Sequence, residues 1–210
     1  HPYSLGHALS FAAWVHQQRK EGKAAQGMAE AIVALGTEHG FPLWVIQGTI
    51  MQGWLLLEQG KWEEGIAQIR QGAALKRGRE QTYSAALVAE AYRKAGRIEE
   101  GLSAVNGALA RAHETGTGYY GSELHRIKGE LIVKSRAQEA EECFRQSIEI
   151  ARSQSAKSLE LRAAMSLSRL WQRQGKQKDA RQLLGEIYGW FTEGFDTADL
   201  KEAKALLDKL

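Results

Sequence analysis

Residues 52–72 read Gln-Gly-Trp-Leu-Leu-Leu-Glu-Gln-Gly-Lys-Trp-Glu-Glu-Gly-Ile-Ala-Gln-Ile-Arg-Gln-Gly, and this stretch decides the predicted fold. Its apolar spacing predicts two amphipathic helices that are joined by a tight turn at Gly60. Small residues at Gly53 and Gly65 allow the two helices to approach closely, and Ile69 fills the space towards the next pair of helices. The stretch therefore predicts a helical hairpin.

The same combination of turn and helix recurs along the chain at intervals of 36 to 40 residues, with the turns starting at Gly22, Gly60, Gly96, Ser135 and Gly175. Self-similarity at a fixed period of this length is typical of a solenoid, in which each repeat packs only against its neighbours. We therefore predict an all-α fold, a right-handed α-solenoid, in a single domain that spans residues 1–210. The predicted hairpins cover about 3–40, 41–80, 81–116, 117–155 and 156–192, and a capping helix covers 197–210.

The hairpins resemble tetratricopeptide (TPR) repeats. Gly53 is taken as the small residue in the first helix of its hairpin. Counted from the turn of each hairpin, the equivalent positions of the third hairpin hold Ala89 and Gly101 as small residues and Tyr92 as an aromatic one. The first hairpin fits poorly, because the turn at Gly22 puts Val15 and Gln18 at those positions.

A narrower resemblance is to the C-terminal TPR region of large bacterial signalling proteins that carry a STAND-type ATPase and often an adenylate or guanylate cyclase domain. It is carried by His-Pro-Tyr-Ser-Leu at 1–5, Phe-Pro-Leu-Trp at 41–44, Lys-Ser-Leu-Glu-Leu-Arg-Ala-Ala at 157–164 and the stretch 188–200. The resemblance implies a sensor or partner-binding arm of a larger protein rather than a catalytic part. A start at His1 without an initiator Met agrees with a fragment of a longer chain.

Composition limits the classes of function. The net charge is only +3, which argues against the alternative of nucleic-acid binding. The single Cys143 excludes an internal disulfide framework, and no apolar run is long enough to span a bilayer. The sequence also lacks a P-loop, metal-ligand spacing and a nucleophile–base pattern. We therefore predict a cytoplasmic protein that is not an enzyme and needs no cofactor or metal.

The TPR resemblance implies a ligand groove on the surface formed by the first helix of each hairpin. Carried over position by position, the predicted groove residues are Gln47, Trp54, Glu58, Tyr83, Glu90, Arg93, Lys94, Glu123, Arg126, Glu130, Lys134, Arg162, Met165, Arg169 and Arg173, with His16, Arg19 and Lys20 from the first hairpin. Function would then lie in binding a protein or peptide.

Basic residues recur near the ends of these first helices, and Arg162, Arg169 and Arg173 share one helix face. Such a cluster is suited to gripping a carboxylate by forked hydrogen bonds. This favours an acidic peptide as the ligand, with Trp54 and Tyr83 as apolar anchors. Two alternatives stay open: the charges are only a solvated surface, or the array packs on upstream domains of its own chain as an autoinhibitory or self-association module.

At the C-terminus, the aromatic residues Trp190, Phe191 and Phe195 follow the last hairpin. Aromatic side chains contribute large apolar areas to packing. We expect these three to hold the capping helix against the fifth hairpin.

Overall fold

The computed structural model of the chain describes residues 1–75, 79–116 and 118–210. Within these residues the fold is an all-helical solenoid. The helices are α1 (Pro2–Gln18), α2 (Gly22–Glu38), α3 (Pro42–Glu58), α4 (Trp62–Ala74), α5 (Arg79–Lys94), α6 (Ile98–Thr115), a 3₁₀ helix (Gly118–Tyr120), α7 (Gly121–Ile132), α8 (Ala137–Ser153), α9 (Lys157–Arg173), α10 (Gln177–Tyr188) and α11 (Ala198–Leu207). No helix in these ranges is both long and apolar enough to cross a membrane.

The hairpin predicted from residues 52–72 is confirmed by the packing of α3 on α4. A Cβ atom added at Gly53 would lie 2.7 Å from Cγ1 of Ile69 and 3.0 Å from the carbonyl oxygen of Gly65. Only glycine therefore permits this approach of the two backbones. Helix α4 ends at Ala74 and Leu75 follows in a turn, and residues 76–78 of the hairpin predicted for 41–80 lie outside the described residues.

The turn of the first hairpin corrects the sequence interpretation. The residue with left-handed backbone geometry is Lys20 (φ 61°), in the place that Gly60, Gly96 and Gly175 hold in later hairpins. Gly22 instead begins α2. Because glycine is the usual residue in this geometry, the lysine concealed the turn and moved the predicted register by two residues.

With the corrected register, the first hairpin buries the same positions as the second, although Ala29 replaces the large Ile69 and Ile32 replaces the small Gly72. Its small position is Ala13, and its second helix places Ala25, Ala29 and Ile32 at the packing positions; all four are buried. Together with Trp44, Met51, Trp54 and Leu55 of α3 they form one apolar cluster. The first hairpin is thus a full member of the array.

The C-terminal helix closes the other end of the core. Leu200, Ala203 and Leu206 of α11 are buried in the cluster that runs from α5 to α11. The expectation for the preceding aromatic residues is only partly right. Phe191 packs against this core, whereas Trp190 is 58% exposed and Phe195 is also exposed, so the apolar face of α11 itself supplies most of the packing.

Candidate functional site

A central cavity of about 440 Å³ lies where the first helices of successive hairpins face one another. It is called the central cavity below. It collects most of the residues that the sequence predicted for a ligand groove, because equivalent positions of stacked hairpins align on one surface. The predicted residues that line it are Trp54, Glu58, Glu90, Arg93, Lys94, Glu123, Arg126, Glu130, Arg162, Met165, Arg169 and Lys20.

The six remaining predicted residues lie elsewhere, and two of them, His16 and Arg19, pair with Glu21 at the first turn. Gln47 and Tyr83 line a second cavity of about 500 Å³ near the N-terminus, among aromatic residues of α1 and α3. Lys134 and Arg173 are exposed where the first helices of their hairpins end, and they line neither cavity. These two residues therefore serve as controls for experiments on the central cavity.

The walls of the central cavity carry paired charges of both signs. The guanidinium of Arg126 lies 2.7 Å from a carboxylate oxygen of Glu123 and 3.8 Å from one of Glu90. Arg93 lies 2.7 Å from Glu90, and further along the wall Ser166 donates a hydrogen bond to Glu130. Six basic and six acidic side chains line the cavity, so its net charge is close to zero.

Burial and pairing set the protonation of these groups. Burial alone would raise the pKa of Glu123, but Arg126 and then Arg162 act more strongly in the opposite sense, and the pKa of this carboxyl is lowered. Burial likewise acts to lower the pKa of Arg126, yet Glu123 and Glu90 raise it overall. Both groups are therefore held in their charged forms at neutral pH.

The two ends of the array meet at one side of this cavity, in what we call the end-to-end contact, formed by Gln18, Arg19 and Lys20 with Arg162, Asp196, Asp199 and Glu202. Arg162 donates from Nε to Asp199 at 2.5 Å and from its terminal nitrogens to the side-chain and backbone oxygens of Gln18 at 2.9 Å. Lys20 lies 3.1 Å from Asp199. The contact is entirely polar and joins residues that are far apart in sequence.

The end-to-end contact corrects the expected basic rim. Arg162 and Arg169 were expected to present free guanidinium groups to an acidic ligand. In the structure, Arg162 is bonded to Asp199, and Arg169 donates to Glu202 at 2.7 Å. Asp199 and Glu202 of α11 thus lie where the sequence led us to expect the carboxylates of a ligand. The reason is that the helix predicted as a cap also reaches the groove.

Sequence reasoning missed several residues that line the cavity, among them Gln17, Gln18, Asp199 and Glu202 at the two ends of the array. The two glutamines were hidden by the register error, because with Lys20 as the turn residue they fall at the groove positions of α1. Gln17 accepts a hydrogen bond from the hydroxyl of Tyr83, and its buried Nε2 has no hydrogen-bond partner.

Comparisons with known proteins bear on the fold. No protein-family model matches the chain. A protein of Rhizobium meliloti (strain 1021) that is described as uncharacterised is 27% identical over 178 residues; the match covers 81% of this chain and 17% of that protein, so the chain corresponds to about a sixth of its relative's length.

Two solved structures of a putative kinesin light chain from Podosopora anserina, described as having nearly identical TPR-like repeats, have similar architecture. One, the Q17M form, has a TM-score of 0.56 and 20% identity and covers 90% of this chain and 95% of its own. The other has a TM-score of 0.54 and 19% identity and covers 100% of this chain and 97% of its own. The chain accordingly has a TPR-like helical repeat fold.

Proposed function

We propose that this chain is a protein–protein interaction scaffold that holds a segment of a partner protein in the central cavity. The observation that carries the proposal is the collection of charged and polar side chains from α1, α3, α5, α7, α9 and α11 around one cavity of about 440 Å³. Side chains on rigid, packed helices are suited to binding because their positions are fixed before the ligand arrives.

The protonation states favour binding over acid–base catalysis. Glu90 and Glu123 have lowered pKa values despite their burial, because neighbouring arginines stabilise the carboxylates. A catalytic general acid needs a pKa near the working pH, which is the opposite shift for a carboxyl group. These groups are therefore suited to fixed ionic contacts with a ligand.

The chemistry of the walls also describes the ligand. Because acidic and basic groups are equal in number, the cavity suits a segment that carries both signs or exposes backbone groups, as well as the acidic segment expected from the arginines alone. An acidic segment has to compete with Asp199 and Glu202 for Arg162 and Arg169. The ligand contacts themselves stay predictions.

We further propose that the scaffold is the sensor or partner-binding arm of a larger bacterial signalling ATPase or cyclase. Support comes from the sequence resemblance at 1–5, 41–44 and 188–200, and from the bacterial relative, which is about six times as long as the part it shares with this chain. Catalysis would then belong to other parts of the larger protein.

A second candidate function is an intramolecular one, in which the array packs on its own upstream domains and inhibits them. The observation in its favour is the end-to-end contact, in which Asp199 and Glu202 of the same chain form ion pairs with Arg162 and Arg169 of the cavity. A segment from another domain of the same polypeptide has a high effective concentration and would compete well with a separate partner.

Affinity capture with matched charge reversals tests the proposal. The chain, an Arg169→Glu/Lys94→Glu variant in the cavity wall and an Arg173→Glu/Lys134→Glu control outside it are each immobilised and exposed to bacterial lysate. We expect a protein that the chain and the control retain and the cavity variant loses.

Equal retention by all three baits would place binding on another surface and refute the role of the cavity. If nothing is retained by any bait, the intramolecular function is favoured, and the parent protein's upstream domains become the next ligand to test.

A further inference from the structure

The outer face of α1, formed by Leu5, Ala8, Phe11 and Val15, is an apolar surface exposed on a helix end of the array. Leu5 is 52% exposed, Phe11 56% and Val15 48%. Helix α1 contains no Lys, Arg, Asp or Glu over its 17 residues. A helix face of this kind is unusual on a surface that water alone covers, because exposed helix faces normally carry charge.

The repeat shows what covers the equivalent face elsewhere. Helices α1 and α3 are both 17 residues long, begin with a proline at the first helical position and are displaced by 40 residues, so Leu5, Ala8, Phe11 and Val15 correspond to Val45, Gly48, Met51 and Leu55. In α3 this face is covered by α2. A Cβ atom added at Gly48 would lie 2.5 Å from Cγ2 of Val33, and one added at Gly36 would lie 2.9 Å from Cγ2 of Val45.

The last hairpin repeats the relation. Helix α9 is displaced from α1 by 155 residues, and its corresponding residues are Glu160, Ala163, Ser166 and Leu170, which are all buried. Helix α8 packs against α9, and its Arg152 bonds to Glu160 at 2.7 Å, whereas Ser166 donates to Glu130 of α7. A second helix thus covers this face in α3 and in α9, while in α1 it is open.

We propose that the outer face of α1 is a docking surface for the second helix of a further hairpin of the same repeat, which continues the array beyond α1. The docking helix carries small and β-branched residues three or four positions apart, like Ala29, Val33 and Gly36 of α2. It ends in a glycine with left-handed backbone geometry that directly precedes His1. The surface is independent of the central cavity, which lies on the inner side of the array.

A second copy of the chain is a less suitable occupant. In a head-to-tail dimer, α10 of the second copy would have to cover α1. At that end of the chain α11 already packs against both α9 and α10. A symmetric pairing through α1 alone would involve a single helix of 17 residues on each side. Stable dimers bury about 800 Å² per partner, which is more than one helix face supplies.

The test attaches the chain's own docking helix. Residues 22–40, which are α2 with its left-handed Gly40, are fused directly before His1, so that the new junction repeats the one between α2 and α3. We expect the fused chain to remain monomeric and to melt about 5 °C higher or more, because the apolar face becomes buried. A matched fusion with Ala29→Glu and Val33→Glu in the added segment should lose the increase.

The exposed face itself supplies the second control. Phe11→Glu should leave the melting temperature of the unfused chain unchanged within about 1 °C, since the side chain is exposed, and should abolish the increase in the fused chain. Equal melting temperatures of the fused and unfused chains would overturn the proposal. It would also be overturned if the unfused chain is a dimer in sedimentation equilibrium that Phe11→Glu dissociates, because a second copy would then be the occupant.

Discussion

The end-to-end contact leads to a quantitative prediction about the pair Arg162 and Asp199. Their side chains are 15% and 12% exposed and 2.5 Å apart, so the pair lies between exposed ion pairs, which contribute about 0.2–1 kcal/mol, and fully buried ones, whose disruption costs about 3–5 kcal/mol. Arg162 also donates two hydrogen bonds to Gln18. We expect Arg162→Met to lower the free energy of unfolding by about 3 kcal/mol and Asp199→Asn by about 1–2 kcal/mol.

The assay is a double-mutant cycle by urea unfolding, followed by far-UV circular dichroism, with the radius of gyration from X-ray scattering as a second readout. Because the two residues contact each other, the double variant should be more stable than the sum of the single effects predicts, by at least about 1 kcal/mol. Arg162→Met should also enlarge the radius of gyration, since the ends of the array separate.

A control ion pair lies at the C-terminal end of α11, the helix that carries Asp199. Lys204 of α11 and Asp208, which directly follows that helix, are 57% and 60% exposed, so Lys204→Met should cost less than about 0.5 kcal/mol and leave the radius of gyration unchanged. Additive effects of Arg162→Met and Asp199→Asn within about 0.3 kcal/mol would refute the reasoning, because they would mean that the pair does not interact in solution.

Three further predictions concern single positions. Gly129→Ala should destabilise the fold by about 1–3 kcal/mol in chemical denaturation, because the new Cβ atom would lie 2.4 Å from the ring of Phe144. Ser155→Gly should stabilise it by about 1 kcal/mol, measured in the same way, since Ser155 has a left-handed backbone (φ 54°). Glu123 has a folded-state pKa that is lowered below 4.5, so its contribution to stability is present above that pH and is lost as the pH falls through the folded-state value; Glu123→Gln should therefore flatten the decrease in unfolding free energy under acidic conditions.

Matched positions serve as controls for the first two of these. Gly185 has no atom within 4 Å of an added Cβ, so Gly185→Ala in α10 should be neutral or slightly stabilising. Ser158 lies in the first turn of α9, where Ser158→Gly should not stabilise the protein. A loss of stability at Gly185 as large as at Gly129 would contradict the close packing of α7 on α8, and a gain at Ser158 equal to that at Ser155 would contradict the role of backbone geometry.

Much of the fold could be predicted because its determinants are local. The glycines at 53 and 65 and the apolar spacing around Ile69 define one hairpin, and the hairpin recurs at a nearly constant period. A solenoid is built from such nearest-neighbour contacts, so one repeat predicts the next. The register of the first hairpin was wrong because the prediction relied on glycine to mark each turn, and there the turn residue is Lys20.

The candidate site could be predicted only in part. Position within a repeat places Glu90, Arg126 and Arg169 on the inner surface, because stacked hairpins align equivalent residues. Position within a repeat does not predict that residues 18–20 meet residues 196–202. That contact depends on the curvature that accumulates over all five hairpins, and no single repeat encodes it. The pairing of Arg162 with Asp199 was therefore beyond the reach of sequence spacing.

Closure of the array around the central cavity can be measured directly with a carbodiimide, which joins an amine to a carboxylate only where the two are in contact. Lys20 lies 3.1 Å from Asp199 and 3.8 Å from Glu202, while Lys94 lies 3.2 Å from Glu58 within the stacked hairpins and serves as an internal reference. After digestion and mass spectrometry of monomeric protein, we expect cross-linked peptides that join Lys20 to residues 199 or 202 at a yield similar to the reference. Recovery of the Lys94–Glu58 peptide without any cross-link from Lys20 would contradict the closed array and the cavity that it encloses.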